Sequence, residues 1–387
     1  MYKSIDELVE RIDERNSDGK ISTLIGVSID KCFIKSVANI NGTDLTKYKI
    51  IRKDDFAVSL MQVSRDSKIP IARLKDYNQA IMSPAYPIFR VRDTSVILPE
   101  YLEMWFMRPE FDREAAFIAV GGVRGSMPWE EFAKMRLPVP SLEKQHQVVR
   151  AHQIIADRIE IKRRINDNLT EQCSVDYVLM LNGYSTESEE LPDGWTKGSI
   201  GSYCDVKSGF AFKSEWWTNE GYKVIKIANI VNNSIDLDSC DCVIVGHAQK
   251  ANNFYVQSGD ILIAMTGATT GKIGIVPFCH EPVVVNQRVG KFFLGDKPIE
   301  KAPFLFSTLL YSRVACHLQP DGTAGSAQDN LSADNIKDVA IIVPEQTVID
   351  TFNRQHIPHI TTMMRNCSEI RSLTKLAETL LQTLSSR

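Results

Sequence analysis

The segment of this sequence that comes nearest to a phosphate-binding loop is Gly267-Ala268-Thr269-Thr270-Gly271-Lys272. A phosphate loop needs four residues between its glycines, and a Ser or Thr after the lysine to bind magnesium. Here three residues separate the glycines, and Ile273 follows the lysine. The segment therefore predicts a glycine-containing turn between two strands, whose amides and Lys272 could contact a nucleic-acid backbone.

A second fragment, Ser83-Pro84-Ala85-Tyr86, is one step from the Asn/Asp-Pro-Pro-Tyr tetrapeptide with which amino-methyltransferases hold a flipped base. The leading amide or carboxylate is missing, and no Gly-rich S-adenosylmethionine loop precedes the fragment. The sequence also contains no Gly-x-Ser-x-Gly nucleophile signature and no convincing nuclease carboxylate-lysine cluster. We therefore expect no catalytic residues on this chain.

The eight cysteines are scattered, with no Cys-x-x-Cys pair and no spacing typical of a disulfide framework. We expect reduced, mostly structural thiols. Cys240-Asp241-Cys242, Cys279-His280 and the pair His356/His359 are isolated ligand fragments without companions at zinc spacing. The sequence therefore predicts no metal site.

Charge alone does not indicate a nucleic-acid partner, because Lys+Arg 45 against Asp+Glu 48 leaves a net charge of −3. A binder of this kind must concentrate its cations locally or borrow phosphate contacts from a partner subunit. No apolar run reaches the ~18 residues needed to cross a bilayer, and the N-terminus is charged rather than signal-like. We expect a soluble, cytoplasmic protein with no membrane partner.

The two halves of the chain resemble each other at an offset of about 204 residues, which indicates a duplication. Asp55-Phe56 aligns with Asp260-Ile261, and the segment ending at Pro140 aligns with the one ending at Pro344. Each copy has short strand-like segments, then a helix, then a strand that ends in proline. The predicted strands include Tyr222–Ile227 and Asp260–Met265, and the predicted helices are Tyr101–Arg108 and Phe304–Tyr311.

A long helical pattern follows each of these prolines, with apolar residues in steps of three and four. We expect Pro358 to kink or to start the second helix. Two such helices could pair and hold two globular domains a fixed distance apart, or they could be ordinary core helices of two separate domains. The residues predicted to pack against a partner helix are Val148, Ile155, Ile159, Ile165, Leu169, Met363, Ile370, Ala377, Leu381 and Leu384.

The second half resembles the target-recognition unit of type I restriction specificity subunits, in the order in which that family carries its motifs. The first half resembles a different recognition-domain type of the same family, although it lacks the Leu-Pro-x-Gly-Trp opening. The motifs are Leu191–Trp195, Val206–Lys213, Ile225–Ile230, Gly259–Ile263, Gly274–Val276, Val285–Gln287 and Gly325–Leu331 in the second half, and Ile12–Asn16, Gly26–Ile29, Ser83–Phe89 and Leu137–Leu142 in the first.

The resemblance implies an α+β fold with two β-rich mixed α/β target-recognition domains in tandem repeat, separated by two long antiparallel, coiled-coil-like helices. The expected domains are 1–140 (recognition domain 1), 141–190 (central helical spacer and linker), 191–344 (recognition domain 2) and 345–387 (C-terminal spacer helix).

The resemblance also implies a sequence-specific, non-catalytic DNA-binding subunit that recognises an asymmetric bipartite target in double-stranded DNA. Its implied protein partners are two methyltransferase subunits and two restriction subunits. S-adenosylmethionine, ATP and magnesium would bind those partners, with no cofactor on this chain. The alternative is a coiled-coil adaptor without direct DNA readout.

Polar and basic side chains in turns are the candidates for DNA contact, because Arg and Gln can read base edges and Lys more often meets phosphate. They are Ser64, Arg65, Lys68, Arg124 and Ser126 in the first copy, and Lys207, Ser208, Lys213, Thr266, Thr269, Thr270, Lys272, Arg288, Ser326 and Gln328 in the second.

Overall fold

A computed structural model describes residues 1–36, 43–61, 63–121, 125–319 and 330–384. The chain divides into two compact units. Unit 1 comprises Met1–Asp157 with Thr374–Arg387, and unit 2 comprises Arg158–Leu373. Among the described residues, no helix combines the length and the apolar character needed to cross a membrane.

Unit 1 is built on a four-stranded sheet, accompanied by three two-stranded sheets. Its strands are short and rich in Ile, Val and Phe, the residue types that suit a half-buried pleated surface. The strands are β1 Tyr2–Ser4, β2 Val9–Ile12, β3 Ile25–Val27, β4 Phe33–Lys35, β5 Lys49–Arg52, β6 Phe56–Val58, β7 Ile71–Arg73, β8 Gln79–Met82, β9 Ile88–Val91 and β10 Arg136–Pro138. The helices are α1 Ile5–Leu8, α2 Val63–Asp66, α3 Pro99–Phe106, α4 Pro109–Ile118 and α5 Trp129–Lys134, and the long helix α6 Leu142–Leu181 follows.

An aromatic cluster joins the helices of unit 1 to its sheet. Phe56 stacks on Phe89 with ring centroids 5.3 Å apart, and Phe106 of α3 meets Phe56 edge-on at 5.8 Å. Phe111 and Phe132, both fully buried, extend the cluster into α4 and α5. Burying five aromatic side chains in one place supplies a large share of the apolar surface that this unit removes from water.

Unit 2 contains a six-stranded sheet and a five-stranded sheet. Its strands are β11 Thr196–Ser199, β12 Asp205–Ser208, β13 Trp217–Thr218, β14 Tyr222–Ile225, β15 Ile230–Val231, β16 Ser234–Ile235, β17 Asp241–Val243, β18 Tyr255–Val256, β19 Ile261–Ala264, β20 Ile273–Ile275, β21 Val283–Val285, β22 Val289–Phe293 and β23 Ala340–Val343. The helices are α7 Ile200–Tyr203, α8 Val245–Ala248, α9 Ala302–Leu310, α10 Ser312–Leu318, α11 Ala333–Lys337 and α12 Gln346–Thr383.

The two units share the order of four central strands, which supports the duplication, and the structure confirms the mixed α/β class predicted from the sequence. The order β2-β9-β6-β7 in unit 1 corresponds to β12-β22-β19-β20 in unit 2. The first and last strands of each globular part pair antiparallel, β1 with β10 and β11 with β23. The sheet helices α3 and α9 lie near the predicted segments, starting two residues earlier in both copies.

Within unit 2 the long helices pair antiparallel. Their contacts run from Lys162 with Glu369, 2.6 Å between Nζ and Oε2, to Tyr177 with Phe352, whose rings lie 6.1 Å apart. Helix α12 begins at Gln346 and continues through Pro358, so the expectation that this proline starts the helix is wrong. Residues 142–157 of α6 belong to unit 1 and residues 158–181 to unit 2.

The predicted packing residues divide by position. In unit 1, Val148 packs against the core cluster that contains Leu381 and Leu384. In unit 2, Leu169 packs against the cluster that contains Met363. Of the remaining predicted residues, Ile155 is buried, and Ile159, Ile370 and Ala377 are partly buried.

Ile165 departs from that prediction, because its side chain is 39% exposed. The neighbouring Asn166 faces the partner helix instead, accepting a 2.8 Å hydrogen bond at Oδ1 from Asn366 Nδ2. A paired polar contact therefore stands where the heptad pattern predicted an apolar one, and polar pairs of this kind fix the register of packed helices.

Candidate nucleic-acid interface

One end of the six-stranded sheet in unit 2 gathers several of the predicted DNA-contact residues. The Ala264 amide donates to the Lys272 carbonyl at 2.8 Å, and the Met265 amide donates to the Arg288 carbonyl at 2.9 Å. The Met265 carbonyl in turn accepts from the Leu331 amide at 2.9 Å. Three chain segments therefore meet beside Met265. They are the end of the β19–β20 turn, the residues just before β22, and the segment that begins at Asn330.

Unit 1 repeats this arrangement at the equivalent end of its sheet. The Ser59 amide donates to the Pro70 carbonyl at 2.8 Å, which corresponds to the bond from Ala264 to Lys272. The Met127 amide donates to the Leu60 carbonyl at 2.8 Å, and this corresponds to the bond from Leu331 to Met265. The two copies therefore share the backbone hydrogen bonds that hold the candidate loops in place.

The turn between β19 and β20 has the glycine-dependent geometry that its sequence predicts. Gly267 and Gly271 have φ angles of +79° and +83°, a region that favours glycine. A Cβ on Gly271 would also lie 2.5 Å from the Leu318 carbonyl oxygen, so this position has no room for a side chain. Thr270 is buried, and its hydroxyl donates to the Gly267 carbonyl at 2.7 Å, which stabilises the turn from inside.

Lys272 and Arg288 are exposed at this end, and neither forms an ion pair within the described part of the chain. Thr266 and Thr269 are half-buried, and their hydroxyl oxygens find no hydrogen-bond partner among the described residues. The predicted contact residues at this end of the sheet thus divide into two exposed cations, Lys272 of the turn and Arg288 before β22, and three threonines of the turn at lower exposure.

The strand β12 and the loop after it bring further candidates to the same region. Ser208 is exposed and ends β12, and the amide of the next residue, Gly209, donates to the Val289 carbonyl at 3.0 Å. Lys207 is exposed too, but its Nζ lies 3.2 Å from Asp205 Oδ2. Lys213 is exposed and lies 5.6 Å from the centre of the Trp216 ring.

A cluster around Trp216 was missed by the sequence analysis. The His247 ring stacks on Trp216 with centroids 4.2 Å apart and an interplanar angle of 7°, and Lys250 Nζ lies 4.7 Å from the Trp216 ring. Cations beside a partly exposed aromatic ring suit contact with nucleic acid. The adjacent tryptophans Trp216-Trp217 in a polar loop were the available signal, although nothing in the sequence placed His247 and Lys250 beside them.

In unit 1 the candidates Ser64, Arg65 and Ser126 lie close together. A Cβ on Gly125 would overlap the Ser64 hydroxyl and lie 3.5 Å from the Arg65 amide nitrogen, so the segment before Ser126 contacts helix α2 directly. Arg65 is exposed and pairs with Asp66, 2.8 Å between Nε and Oδ1. Lys68 is exposed in the same loop.

Three predicted contact residues, Arg124, Ser326 and Gln328, lie outside the described residues. The described neighbours Gly125 and Gln319 lie beside the candidate loops, since a Cβ on Gly125 would overlap the Ser64 hydroxyl and one on Gly271 would lie 2.7 Å from Gln319 Cγ. The three predictions stand as made.

A buried carboxylate anchors the central strand of each unit behind these loops. Asp55 accepts from the Arg52 amide at 2.9 Å and from Arg90 through Nε and Nη2. Asp260 accepts from the Gln257 amide at 2.9 Å, and its Oδ2 lies 2.8 Å from Lys291 Nζ.

These two carboxylates are the aligned residues of the repeat, Asp55-Phe56 and Asp260-Ile261. Burial raises the pKa of Asp260, and the adjacent Lys291 opposes that shift. Each pair fixes the strand from which a candidate loop emerges.

The pair His356/His359, expected to be an isolated fragment, has a companion in the structure. Cys173 of α6 lies 3.6 Å from His356 and 3.9 Å from His359, measured from Sγ to Nδ1. The sequence expectation missed this cluster because the cysteine lies 183 residues before the first histidine.

In the comparison with known proteins, the match to a family model falls in the second half of the chain. Residues 192–365 match the family model described as the type I restriction modification DNA specificity domain. The MjaVIII specificity subunit of a type I restriction enzyme from Methanocaldococcus jannaschii is 26% identical over 193 residues, covering 46% of this chain and 44% of the relative. That alignment spans less than half of either protein.

Two further comparisons extend over more of the chain. The MjaIX specificity subunit from the same organism is 21% identical over 312 residues, covering 74% of this chain and 68% of the relative. The crystal structure of a type I restriction-modification S subunit from M. genitalium superimposes with a TM-score of 0.57, covering 99% of this chain and 95% of that chain at 14% identity. At that identity, the structural match establishes the fold alone.

Proposed function

We propose that this chain is a specificity subunit of the type I restriction family, and that it reads a bipartite sequence in double-stranded DNA, one half-site per unit. The observation that carries the proposal is the repeated sheet end. Each unit presents exposed cations there, Arg65 and Lys68 in unit 1 and Lys272 and Arg288 in unit 2. Cations on loops at the end of a sheet suit phosphate contacts that position a protein on a duplex.

The two half-sites differ in sequence, because the two sheet ends differ in side chains. The loop in unit 1 contains a short helix, α2, whereas the loop in unit 2 is a turn of threonines and glycines. Identical recognition surfaces related by two-fold symmetry would read a palindrome. Different surfaces read an asymmetric target.

The chain works inside an assembly. Its net charge of −3 provides little general attraction for DNA, so partner subunits supply a share of the phosphate contacts. We assign those partners as two methyltransferase subunits, docked on the paired helices α6 and α12, and two restriction subunits that join them. Methylation and cleavage, with their S-adenosylmethionine, ATP and magnesium, belong to these partners, and this chain is non-catalytic.

The test is to co-express the chain with its methyltransferase partner and to map the methylated positions by sequencing. We expect one asymmetric bipartite motif, with the two half-sites separated by a fixed gap. A perfect palindrome would contradict the assignment of one half-site to each unit.

An adaptor without DNA readout is the competing function, and an exchange of side chains distinguishes it. Replacing residues 266–272 of unit 2 by the equivalent turn of another specificity subunit should change one half-site and leave the other intact. An adaptor would give an unchanged motif, because the sequence would then be read by the partner subunit.

A further inference from the structure

Three potential metal ligands converge between the two long helices of unit 2. His356 Nδ1 lies 2.9 Å from His359 Nδ1, and Cys173 Sγ lies 3.6 Å and 3.9 Å from these two nitrogens. All three ligand atoms fall within 4.8 Å of one another. Cys173 and His356 are fully buried and His359 is partly buried, so the cluster is shielded on most sides.

These separations approach those of a tetrahedral zinc site. With Zn–N near 2.05 Å and Zn–S near 2.3 Å, tetrahedral angles place two nitrogens about 3.3 Å apart and a sulfur about 3.6 Å from each nitrogen. The observed distances are 2.9, 3.6 and 3.9 Å. Shifts of a few tenths of an ångström would bring all three atoms to bonding distance from one ion.

The two helices hold the three potential ligands on surfaces that face each other. His356 and His359 are three residues apart in α12, a spacing that puts both side chains on one face of the helix. Cys173 faces them from the antiparallel helix α6. Asn166 with Asn366 on one side, and Tyr177 with Phe352 on the other, hold the two helices in register around the cluster.

A carboxylate lies near the second ring nitrogen of His356, the one that points away from the cluster. Asp176 Oδ2 lies 3.5 Å from His356 Nε2, and that nitrogen has no hydrogen-bond partner among the described residues. A histidine that binds a metal through Nδ1 carries its proton on Nε2 and donates it to a carboxylate in many zinc sites. Asp176 is placed to receive that hydrogen bond.

We propose that Cys173, His356 and His359 bind one Zn²⁺ ion, which cross-links α6 and α12 within unit 2. The Cys173 thiol loses its proton to solvent on binding and coordinates as a thiolate, while the two imidazoles coordinate as neutral ligands. A ligand set of one sulfur and two nitrogens suits zinc. A water molecule takes the fourth position, because the described residues offer no fourth His, Cys, Asp or Glu there.

The competing interpretation is a buried hydrogen-bonded cluster of one thiol and two imidazoles. Burial raises the pKa of Cys173 to about 12 and lowers that of His356, and both shifts favour the uncharged forms of these groups. Such a cluster holds no ion and gains nothing from zinc. The two interpretations therefore differ in metal content and in the response to chelation.

The full-length chain, expressed in zinc-supplemented medium, provides the first measurement. We expect one zinc per chain by elemental analysis, and a thermal midpoint that falls by about 5–10 °C when a chelator removes the metal. Exchange with Co²⁺ should give the thiolate-to-cobalt charge-transfer band of a Cys ligand and the intense visible bands of a four-coordinate ion.

Variants assign the ligands. Cys173→Ser should remove the charge-transfer band, and His359→Gln, at a partly exposed position that is less prone to unfold the chain, should lower zinc content at least tenfold. Asp176→Asn should weaken zinc binding by about 10–100-fold while leaving the metal-free midpoint unchanged. Cys316→Ser and His280→Gln, at exposed positions of the same unit, are the matched controls and should behave as the unmodified chain.

Two results would overturn the proposal. One is a zinc content far below one per chain in the unmodified protein, with no effect of chelator on the thermal midpoint. The other is stoichiometric metal that persists in both Cys173→Ser and His359→Gln, which would place the ion elsewhere.

Discussion

Lys272 is the residue with the simplest expected contribution to DNA binding. It is exposed at the end of a rigid glycine turn, and it has no ion-pair partner among the described residues. A lysine at such a position meets phosphate as a point charge rather than reading a base. We expect Lys272→Ala to weaken binding by a similar factor on all sequences and to reduce the slope of log affinity against log salt by about 1.

Lys297 provides the control for that measurement. It is also exposed in unit 2, but it follows the far end of β22, whereas Lys272 lies at the end near the start of that strand. Lys297→Ala should leave both affinity and salt slope unchanged in the assembled complex with its methyltransferase partner. A change in base preference in Lys272→Ala would refute the phosphate role.

The buried pair Asp260 and Lys291 should matter for stability rather than for recognition. Their side chains are 1% and 8% exposed, and Lys291 also donates to the Tyr255 carbonyl at 2.6 Å. Asp260→Asn would leave a buried ammonium without its counter-charge, so we expect the free energy of unfolding of unit 2 to fall by about 3 kcal/mol. Urea denaturation measures this.

A second substitution separates the charge effect from packing. Replacing the ammonium in the double variant Asp260→Asn, Lys291→Met should recover a large part of the loss, because no buried charge then remains. Strictly additive losses in the two single variants would show that the pair is not coupled.

At the residue scale, sequence reasoning succeeded where neighbours in the chain carry the signal. The turn at Gly267–Lys272 and the alignment of Asp55 with Asp260 were read from local patterns, and the structure gives each a defined geometry. His247 beside Trp216, and Cys173 beside His356, depend on long-range packing that spacing along the chain does not encode.

At the scale of the element, the long helices also show which contacts a sequence pattern predicts and which it does not. Heptad spacing predicted the two helical segments and most of their packing positions. The pattern in α6 drifts, however, and put Ile165 at the interface where Asn166 lies. The hydrogen bond from Asn366 to Asn166 compensates the burial of the Asn366 amide, and no sequence period identifies such a pair in advance.

Ion pairs across the two helices of unit 2 make their pairing sensitive to pH. Glu369 of α12 pairs with both Lys162 and Arg158 of α6, and the hydrogen bond from Lys162 contributes most to holding the pKa of Glu369 below its ordinary value. A carboxyl that titrates lower in the folded chain stabilises it above its unfolded pKa, and loses that effect as pH falls through the folded value. We expect Glu369→Gln to lower the thermal midpoint at neutral pH and to have no effect at a pH below the folded value.

Glu171→Gln, at an exposed position on α6, is the matched control and should not change the midpoint at either pH. High salt should shrink the effect of Glu369→Gln at neutral pH, since Glu369 is 34% exposed and partly screened. An equal loss at neutral and acidic pH would mean that Glu369 contributes through packing instead of charge.

At the scale of the whole molecule, the repeat was the most informative feature of the sequence. An offset of about 204 residues predicted two similar units, and both have the same order of four central strands. The division of the long helices between the units could not be predicted, because the helical pattern is continuous through Asp157 and through Leu373. The domain limits at residues 140, 190 and 344 stay a prediction.

The distance between the half-sites is the property that the two long helices should set. Each helix passes from one unit to the other, α6 at residues 157 and 158 and α12 at residues 373 and 374. One heptad inserted after Asp157 and one after Leu373 would lengthen both helices by about 10 Å and nearly preserve their apolar stripes. At about 3.4 Å per base pair, we expect about three more base pairs between unchanged half-sites.

The position of the insertion decides whether this experiment tests distance or merely disrupts packing. An insertion after Asn166 would separate that residue from Asn366 and shift every later contact of α6 in unit 2, whereas insertions at the unit boundaries leave the contacts within each unit in place. Sequencing of methylated sites in cells that carry the double insertion gives the gap directly. Half-sites that are retained with an unchanged gap would mean that the helices do not measure the distance, even though each unit still reads its own sequence.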